Sequence, residues 1–389
     1  MLPLALAGPF DRTWQPPPSW PRIMNVAQEF EPLYRAVQAL NLGPDREGAA
    51  LVTITRTRGS TFRRAGASML VLPDGHMVCE LSGGCPQRDI ALRARRVIAH
   101  GQPALVEYGR HANLDVMLET GCGGELEVLI EPLREPADLD FLESVAHMHA
   151  RRVAGAMATV YAVDGQILAP RPLRLLHGDG IHWSNIEDAS FRDRIASELS
   201  QTLAPPTSAA VTRHVAMNGK RYDILVESQP PLHALVIVGD GASARSLAEL
   251  SVRLGWQTTR VDYTHETTDV ADGIRLINAS PRALAAQVPL DSATSAVVMT
   301  HRLERDLAYL EALLATPVGY LGVIGSRQRT ARVREAFPDT QMRLHAPAGL
   351  DVGSETPHEI ALAVAAEILA VRNGRDGGPL SHSQTPIHP

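Results

Sequence analysis

The sequence predicts an α/β protein in two parts, an N-terminal mixed α+β domain followed by a C-terminal Rossmann-like domain with a doubly wound parallel sheet. Three observations carry this prediction. Leu235 to Asp262, LVIVGDGASARSLAELSVRLGWQTTRVD, reads as strand, glycine turn, helix and strand. The half before it alternates strand patterns with hairpin turns and holds two cysteines, each set among glycines. Between the halves lie Gln229, Pro230 and Pro231, and consecutive prolines cannot extend a central strand or helix. The expected divisions are a flexible arm over residues 1–22, the cysteine-containing domain over 23–228, a linker over 229–233, the Rossmann-like domain over 234–376 and a disordered tail over 377–389.

Composition narrows the function. A charged fraction of 21% and a hydrophobic fraction of 44% are those of a soluble globular protein, and a net charge of −6 argues against a nucleic-acid surface. No apolar run has the length of a membrane span. The opening MLPLALAGPF lacks a basic start and leads into Pro16 to Pro18, so a loose arm is expected there and not a signal peptide. Three cysteines without regular spacing fit a reducing, cytoplasmic setting.

In chain order, Ile23, Val26, Phe30, Leu33, Val37 and Leu40 fall on one helical face, predicting a helix over 23–40. A strand over about 50–55 then runs into a loop holding Arg56, Arg58, Ser60, Arg63 and Arg64 around Gly59, a pattern that fits anion binding by guanidinium forks and free backbone amides. Ala67 to Leu72 and His76 to Leu81 predict a hairpin turned by Pro73, Asp74 and Gly75, with Cys79 inside the second strand as a core residue. Ser82, Gly83 and Gly84 place Cys85 at a turn, ahead of a helix from Asp89 to His100. Gly121 and Gly123 flank Cys122 in a second such turn, followed by a strand through Leu126, Val128 and Ile130. Two glycine-flanked thiols could bind a soft metal centre, act as redox partners or hold zinc; the last is disfavoured because no C-x-x-C or H-x-x-x-H spacing accompanies them. A helix over 142–151, a strand over 154–163, a helix near 191–203 and a hairpin tipped by Asn218 and Gly219 complete the domain.

In the second half Gly239, Gly241 and Ala244 match the spacing G-x-G-x-x-G/A, in which the first glycine makes the turn, the second admits a phosphate and the third position lets helix and strand pack closely. Asp262, 21 residues after Gly241, stands where a carboxylate binds a ribose hydroxyl, which favours NAD over NADP if a dinucleotide binds. His301 ends the strand Ala296 to Met299 and is a site candidate, because ligands of such sheets bind at the carboxyl ends of strands. Gly325, Ser326 and Arg327 form another glycine turn before a helix, with donors for an anion. Thr356, Pro357 and Glu359 are a capping box that opens the last helix, which Asn373 and Gly374 end.

With these segments in hand, the chain resembles the XdhC/CoxI family, accessory proteins of xanthine dehydrogenase and related molybdenum hydroxylases. The resemblance rests on RTRGSTFRRAGASMLV, LSGGC, TGCGGELEVLIEPL, LVIVGDGASA, VVMTHRLERDLAYLEALL, GYLGVIGSRQR and HAPAGLDVGSETPHEIALAVAAEILAVRNG, in that order over roughly residues 45 to 380. It implies a chaperone more than a turnover enzyme, with no catalytic residue. Such a chaperone binds and protects the molybdenum cofactor (molybdopterin or molybdopterin cytosine dinucleotide), supports its sulfuration with a cysteine desulfurase and delivers it to an apo-molybdenum hydroxylase. A molybdenum cofactor cytidylyltransferase is a further implied partner, and a homodimer the implied assembly. Cys85 and Cys122 match the cysteines implicated in holding the cofactor, through which they would contact molybdenum. Pro86 and Gln87, Phe62, Ala242, Arg302 and Leu303 depart from the family pattern, and Gln87 cannot serve as a general base where a glutamate is expected. The competing expectation is an NAD-dependent oxidoreductase with His301 as acid/base.

Overall fold

A computed structural model describes residues 29–43, 46, 48–59, 61–82, 85–109, 124–202, 210–261, 271–338 and 344–382. The chain divides into two compact units, with the break between Pro231 and Leu232.

The first unit is built on two antiparallel sheets. In one, β1 (Ala49–Arg58), β2 (Ser68–Val71), β3 (Met77–Val78), β4 (Ala104–Tyr108) and β5 (Glu125–Leu133) take the order β3-β2-β1-β5-β4. Helices α1 (Phe30–Gln38) and α2 (Cys85–His100) belong to this part of the chain. Ile90, Ala94 and Val97 of α2 pack on Val52, Ile54, Val106, Val128 and Ile130, the alternate residues that one sheet face presents. The second sheet has the order β10-β11-β6-β8-β9, from β6 (Gly155–Val163), β8 (Leu173–Gly178), β9 (Ile181–Ser184), β10 (Val211–Met217) and β11 (Lys220–Gln229), with β7 (Gln166–Ile167) paired to β6. Phe191, Ile195 and Leu199 of the helix Ala189–Thr202 cover one of its faces. Leu129 of β5, Tyr161 of β6 and Leu225 of β11 meet between the sheets, where Glu131 and Arg174 form a buried ion pair. Helix Asp140–Ala150 closes the remaining flank with Leu142, Val145 and Met148 against Leu33 and Val37 of α1.

The second unit is a six-stranded parallel sheet, β14-β13-β12-β15-β16-β17, made of β12 (Ala234–Val238), β13 (Gln257–Val261), β14 (Ile274–Ile277), β15 (Thr294–Val298), β16 (Tyr320–Val323) and β17 (Leu344–His345). We number its helices α5 (Ala242–Arg253), α6 (Leu303–Leu314), α7 (Arg327–Ala336) and α8 (Pro357–Arg372), taking Asp140–Ala150 as α3 and Ala189–Thr202 as α4. All five β12 residues are buried, Leu235 and Ile237 under α5 and α8, Val236 and Val238 under α6 and α7. This is why the strand reads as a continuous apolar run. Successive strands run outward from β12 to β14, then the chain returns to place β15 on the other side of β12, so the β12/β15 boundary is the topological switch point. The capping box of α8 is present: Thr356 Oγ1 accepts from the Glu359 amide at 3.3 Å and Glu359 Oε2 from the Thr356 amide at 2.8 Å.

Several expectations shift. The strand expected over 76–81 shrinks to Met77–Val78, and Cys79 follows it at φ 68°, half-buried and off the ladder. Helix α2 starts at Cys85 itself, four residues before Asp89, so this cysteine opens a regular element where a turn was expected. The first helix is described over 30–38, while 23–28 of its expected span lies outside the described residues. A 3-10 turn at Leu380–His382 falls within the tail expected to lack structure. Strands β4, β7, β8, β9, β14 and β17 were not read from the sequence; most are short, and β14 lacks a fully buried face.

Candidate functional sites

The Rossmann turn is assembled at the switch point. Gly239 leaves β12 at φ 156°, and a Cβ there would stand 2.7 Å from the Met299 carbonyl oxygen, so only glycine fits between β12 and β15. Gly241 is the N-cap of α5, and a Cβ there would stand 2.8 Å from Nε2 of His301. The histidine ring therefore lies over the second glycine of the G-x-G-x-x-A pattern. Ala244 is buried in the α5–β12 contact, as the third position of the pattern requires.

His301 is held there by its neighbours. It adopts a left-handed φ of 62°, a conformation that costs a non-glycine residue energy unless its surroundings impose it. Asp306, fully buried in the first turn of α6, accepts from the Thr300 amide at 3.2 Å and from its hydroxyl at 2.6 Å, and forms an ion pair with Arg329 of α7. The Arg302 amide donates to Thr300 Oγ1 at 3.3 Å, closing the turn around His301. Arg329 also lies on Gly325, where a Cβ would meet its Cδ at 2.9 Å. Gly239, Gly241, His301, Gly325 and Ser326 thus share the carboxyl edge of β12, β15 and β16, and Arg327 begins α7 exposed to solvent. Ser326 caps that helix by accepting from the Arg329 amide at 3.3 Å.

In the first unit a cavity of about 250 Å³ is lined by Arg56 and Arg58 of β1, Glu125 and Glu127 of β5, and Glu107 with Gly109 at the end of β4. A β-bulge creates it. Up to Ile54 the even-numbered residues of β1 face α2; the pairing shifts at Thr55, so that Arg56 lies opposite Glu127 and Arg58 opposite Glu125 on the face turned away from α2. Thr55 holds the bulge by donating to Glu127 Oε1 at 2.7 Å, and the Tyr161 hydroxyl donates to the same oxygen at 2.9 Å. The guanidinium contacts are loose, 3.7 Å from Arg56 to Glu127 and 4.0 Å from Arg58 to Glu125, too long for hydrogen bonds.

The expected basic loop therefore divides. Arg58 lines the cavity, whereas Arg63 turns to Glu29, with an ion pair that holds its guanidinium above its ordinary pKa. Its fork faces Glu29 in this structure, with a 2.7 Å bond from Nη1 to Glu29 Oε1. Ser82 is buried, and its amide donates to Gln87 Oε1 at 3.2 Å, as does that of Leu81 at 3.3 Å, so Gln87 anchors the approach to α2. Burial, then the nearby Glu29, pushes the Cys79 thiol up to about 11 against the pull of Arg63, which keeps it protonated and inert. Ser60, Gly83, Gly84, Gly121, Cys122, Gly123 and Asp262 lie outside the described residues, as does the side chain of Cys85.

Thr300, Asp306, Arg329 and the three cavity glutamates were missed by the sequence reading. A signal existed for Asp306: it is the one charge on the otherwise apolar stripe of Leu303, Leu307, Leu310 and Leu314. For the glutamates the signal was the alternation of Glu125 and Glu127 at the start of an apolar strand.

Fold and sites together define a two-unit protein that joins an antiparallel α+β unit to a Rossmann unit with its glycine turn at the switch point. Family models agree: the one described as "XdhC and CoxI family" matches residues 44–109, and "XdhC Rossmann domain" matches residues 235–368. The chain belongs to the XdhC/CoxI family. It is 27% identical to a probable xanthine dehydrogenase subunit of Bacillus subtilis (strain 168), over 84% of this chain and 94% of that one. It is 25% identical to the "Molybdenum cofactor insertion chaperone PaoD" of Escherichia coli (strain K12), over 87% of this chain and 86% of the relative. A crystal structure described as a xanthine dehydrogenase from Bacillus halodurans shares the fold, with a TM-score of 0.68 and 21% identity over 92% of this chain and 98% of that one.

Proposed function

We propose that this protein is a molybdenum cofactor chaperone. It binds molybdopterin or its cytosine dinucleotide form, protects it, supports its sulfuration beside a cysteine desulfurase and inserts it into an apo-molybdenum hydroxylase of the xanthine dehydrogenase kind. The observation that carries the reading is the similarity to a cofactor insertion chaperone across both units, with neither unit left over. Cys85 and Cys122 are the proposed thiolate ligands, soft donors suited to a molybdenum centre already bound to sulfur. The Rossmann turn with Asp262, and the Gly325 turn with Ser326 and Arg327, are the proposed phosphate or nucleotide sites. A cytoplasmic homodimer, served by a cofactor cytidylyltransferase, is part of the same proposal. No helix among the described residues is long and apolar enough to cross a membrane.

Transfer distinguishes this reading from the NAD-dependent oxidoreductase that the glycine turn beneath His301 also allows. Cofactor-loaded protein is mixed with an apo-molybdenum hydroxylase, and the activity gained should saturate near the amount of cofactor loaded. Cys85→Ala and Cys122→Ala should retain less cofactor, with Cys79→Ala unchanged. Failure to activate any apo-hydroxylase tested, including one encoded beside it, or NADH formation over many cycles with a free substrate, overturns the proposal.

A further inference from the structure

The cavity over β1, β5 and β4 has a charge pattern that the glycine turns lack. Across the sheet one row reads Arg56, Glu127, Glu107, and the next reads Arg58, Glu125, Gly109. Cations stand on one side and carboxylates on the other. Because β1 and β4 flank β5, the strands that carry the arginines and the outer carboxylate run about 10 Å apart. That is the length scale of a fused bicyclic ring with a phosphate-bearing arm. A Cβ on Gly109 would meet Glu125 Cγ at 3.0 Å, so glycine at this position leaves room for the Glu125 side chain.

A ligand that fits must present N–H donors along one edge and negative charge at the other end. A 2-amino-4-oxopteridine does this. Its 2-amino group and adjacent ring N–H form a guanidine-like edge that two carboxylate oxygens can accept together, while guanidinium forks match a phosphate. The loose Arg58–Glu125 contact leaves both groups able to turn to such a ligand, with side chains 73% and 38% exposed. Glu127 is committed to Thr55 and Tyr161 and sets the floor.

We infer that this cavity is the pterin-phosphate subsite of the protein, with Glu125 and Glu107 accepting from the amino edge of the pterin and Arg56 and Arg58 holding the phosphate. The inference rests on the proposed function for its choice of cargo. The bulge at Thr55 is then the device that turns two arginines from the α2 face to the ligand.

The test titrates the full-length protein with neopterin monophosphate, followed by quenching of pterin fluorescence, and with the corresponding lumazine, which carries oxygen in place of the 2-amino group. Wild type should bind the pterin at least tenfold more tightly than the lumazine. Glu125→Gln should weaken pterin binding at least tenfold and abolish that preference; Arg58→Gln should weaken both ligands alike. Both residues are partly exposed, so thermal unfolding should be unchanged. Absence of saturable binding, equal binding of pterin and lumazine, or an unaltered Glu125→Gln variant overturns the inference. Retention of intact cofactor separates the two claims. If wild type and Glu125→Gln retain it equally, the subsite is wrong and the chaperone reading stands. If wild type retains none, the chaperone reading fails, and the pterin titration alone decides the cavity.

Discussion

Gly239 and Gly241 lie two residues apart in one turn, yet alanine should affect them very differently. At Gly239 the φ of 156° disfavours any side chain, and the new Cβ would stand 2.7 Å from a backbone oxygen, that of Met299. Relief requires β12 and β15 to separate at the switch point. Strained backbone costs on the order of 1–3 kcal/mol, and overpacking against a fixed neighbour adds about 1–3 kcal/mol. Gly239→Ala should therefore destabilise the Rossmann unit by about 2–6 kcal/mol. At Gly241 the φ of −67° suits alanine, and the obstructing atom, 2.8 Å away, is the far end of the His301 ring, which can swing aside. The remaining cost is the poorer N-cap, about 1 kcal/mol. Urea unfolding, with hydrogen exchange of β12 and β15 amides to localise the loss, measures both. Calorimetry with NAD and with cytidine nucleotides then reads the ligand side, where Gly241→Ala should weaken whatever binding wild type shows despite its near-normal stability. A neutral Gly239→Ala, or a Gly241→Ala as destabilised as Gly239→Ala, would refute the turn geometry described above.

Two further predictions concern buried carboxylates of the Rossmann unit. Asp306→Asn leaves Arg329 without its charge partner and loosens the Thr300 turn, so it should cost about 3 kcal/mol in denaturant unfolding; an unchanged unfolding midpoint would remove Asp306 from the support of His301. Glu367 of α8 accepts from the Tyr320 hydroxyl at 2.5 Å, from His345 Nδ1 at 3.1 Å and from the Gly349 amide at 2.8 Å. Burial alone would push its carboxyl up, but the His345 contact, the Tyr320 hydroxyl and the Gly349 amide outweigh it and hold the group below the usual carboxylate range. A depressed folded-state pKa stabilises above the unfolded value near 4.5, and that stability is lost as pH falls through the folded value. Glu367→Gln should cost about 2 kcal/mol at neutral pH and flatten the loss of stability in acid; parallel pH–stability curves for variant and wild type would count against this assignment.

Features encoded by a local pattern were legible in the sequence. The apolar run of β12, the spacing of Gly239, Gly241 and Ala244, and the capping box of Thr356 and Glu359 each depend on a few consecutive residues, and each appears in the structure where the pattern put it. The same holds for the Asn218-Gly219 hairpin, whose two residues take the positive φ values its turn requires, 52° and 74°.

The face on which the arginines of β1 emerge was not legible there. Strand alternation from Ala50, Val52 and Ile54 would place Arg56 and Arg58 against α2; a one-residue bulge, held by a hydroxyl of β1 on a carboxylate of β5, reverses them. Its partner Glu127 lies 72 positions away in the chain, so no local window contains the cause. His301 is a similar case. Its place at a strand end could be read directly, but its left-handed backbone and its position over Gly241 come from Asp306 and Arg329, on two different helices. Periodicity and caps are short-range, so a stretch of chain specifies which element it forms. Which side chains meet depends on pairing register and on buried charges finding one another, energies that exist only once distant segments are packed.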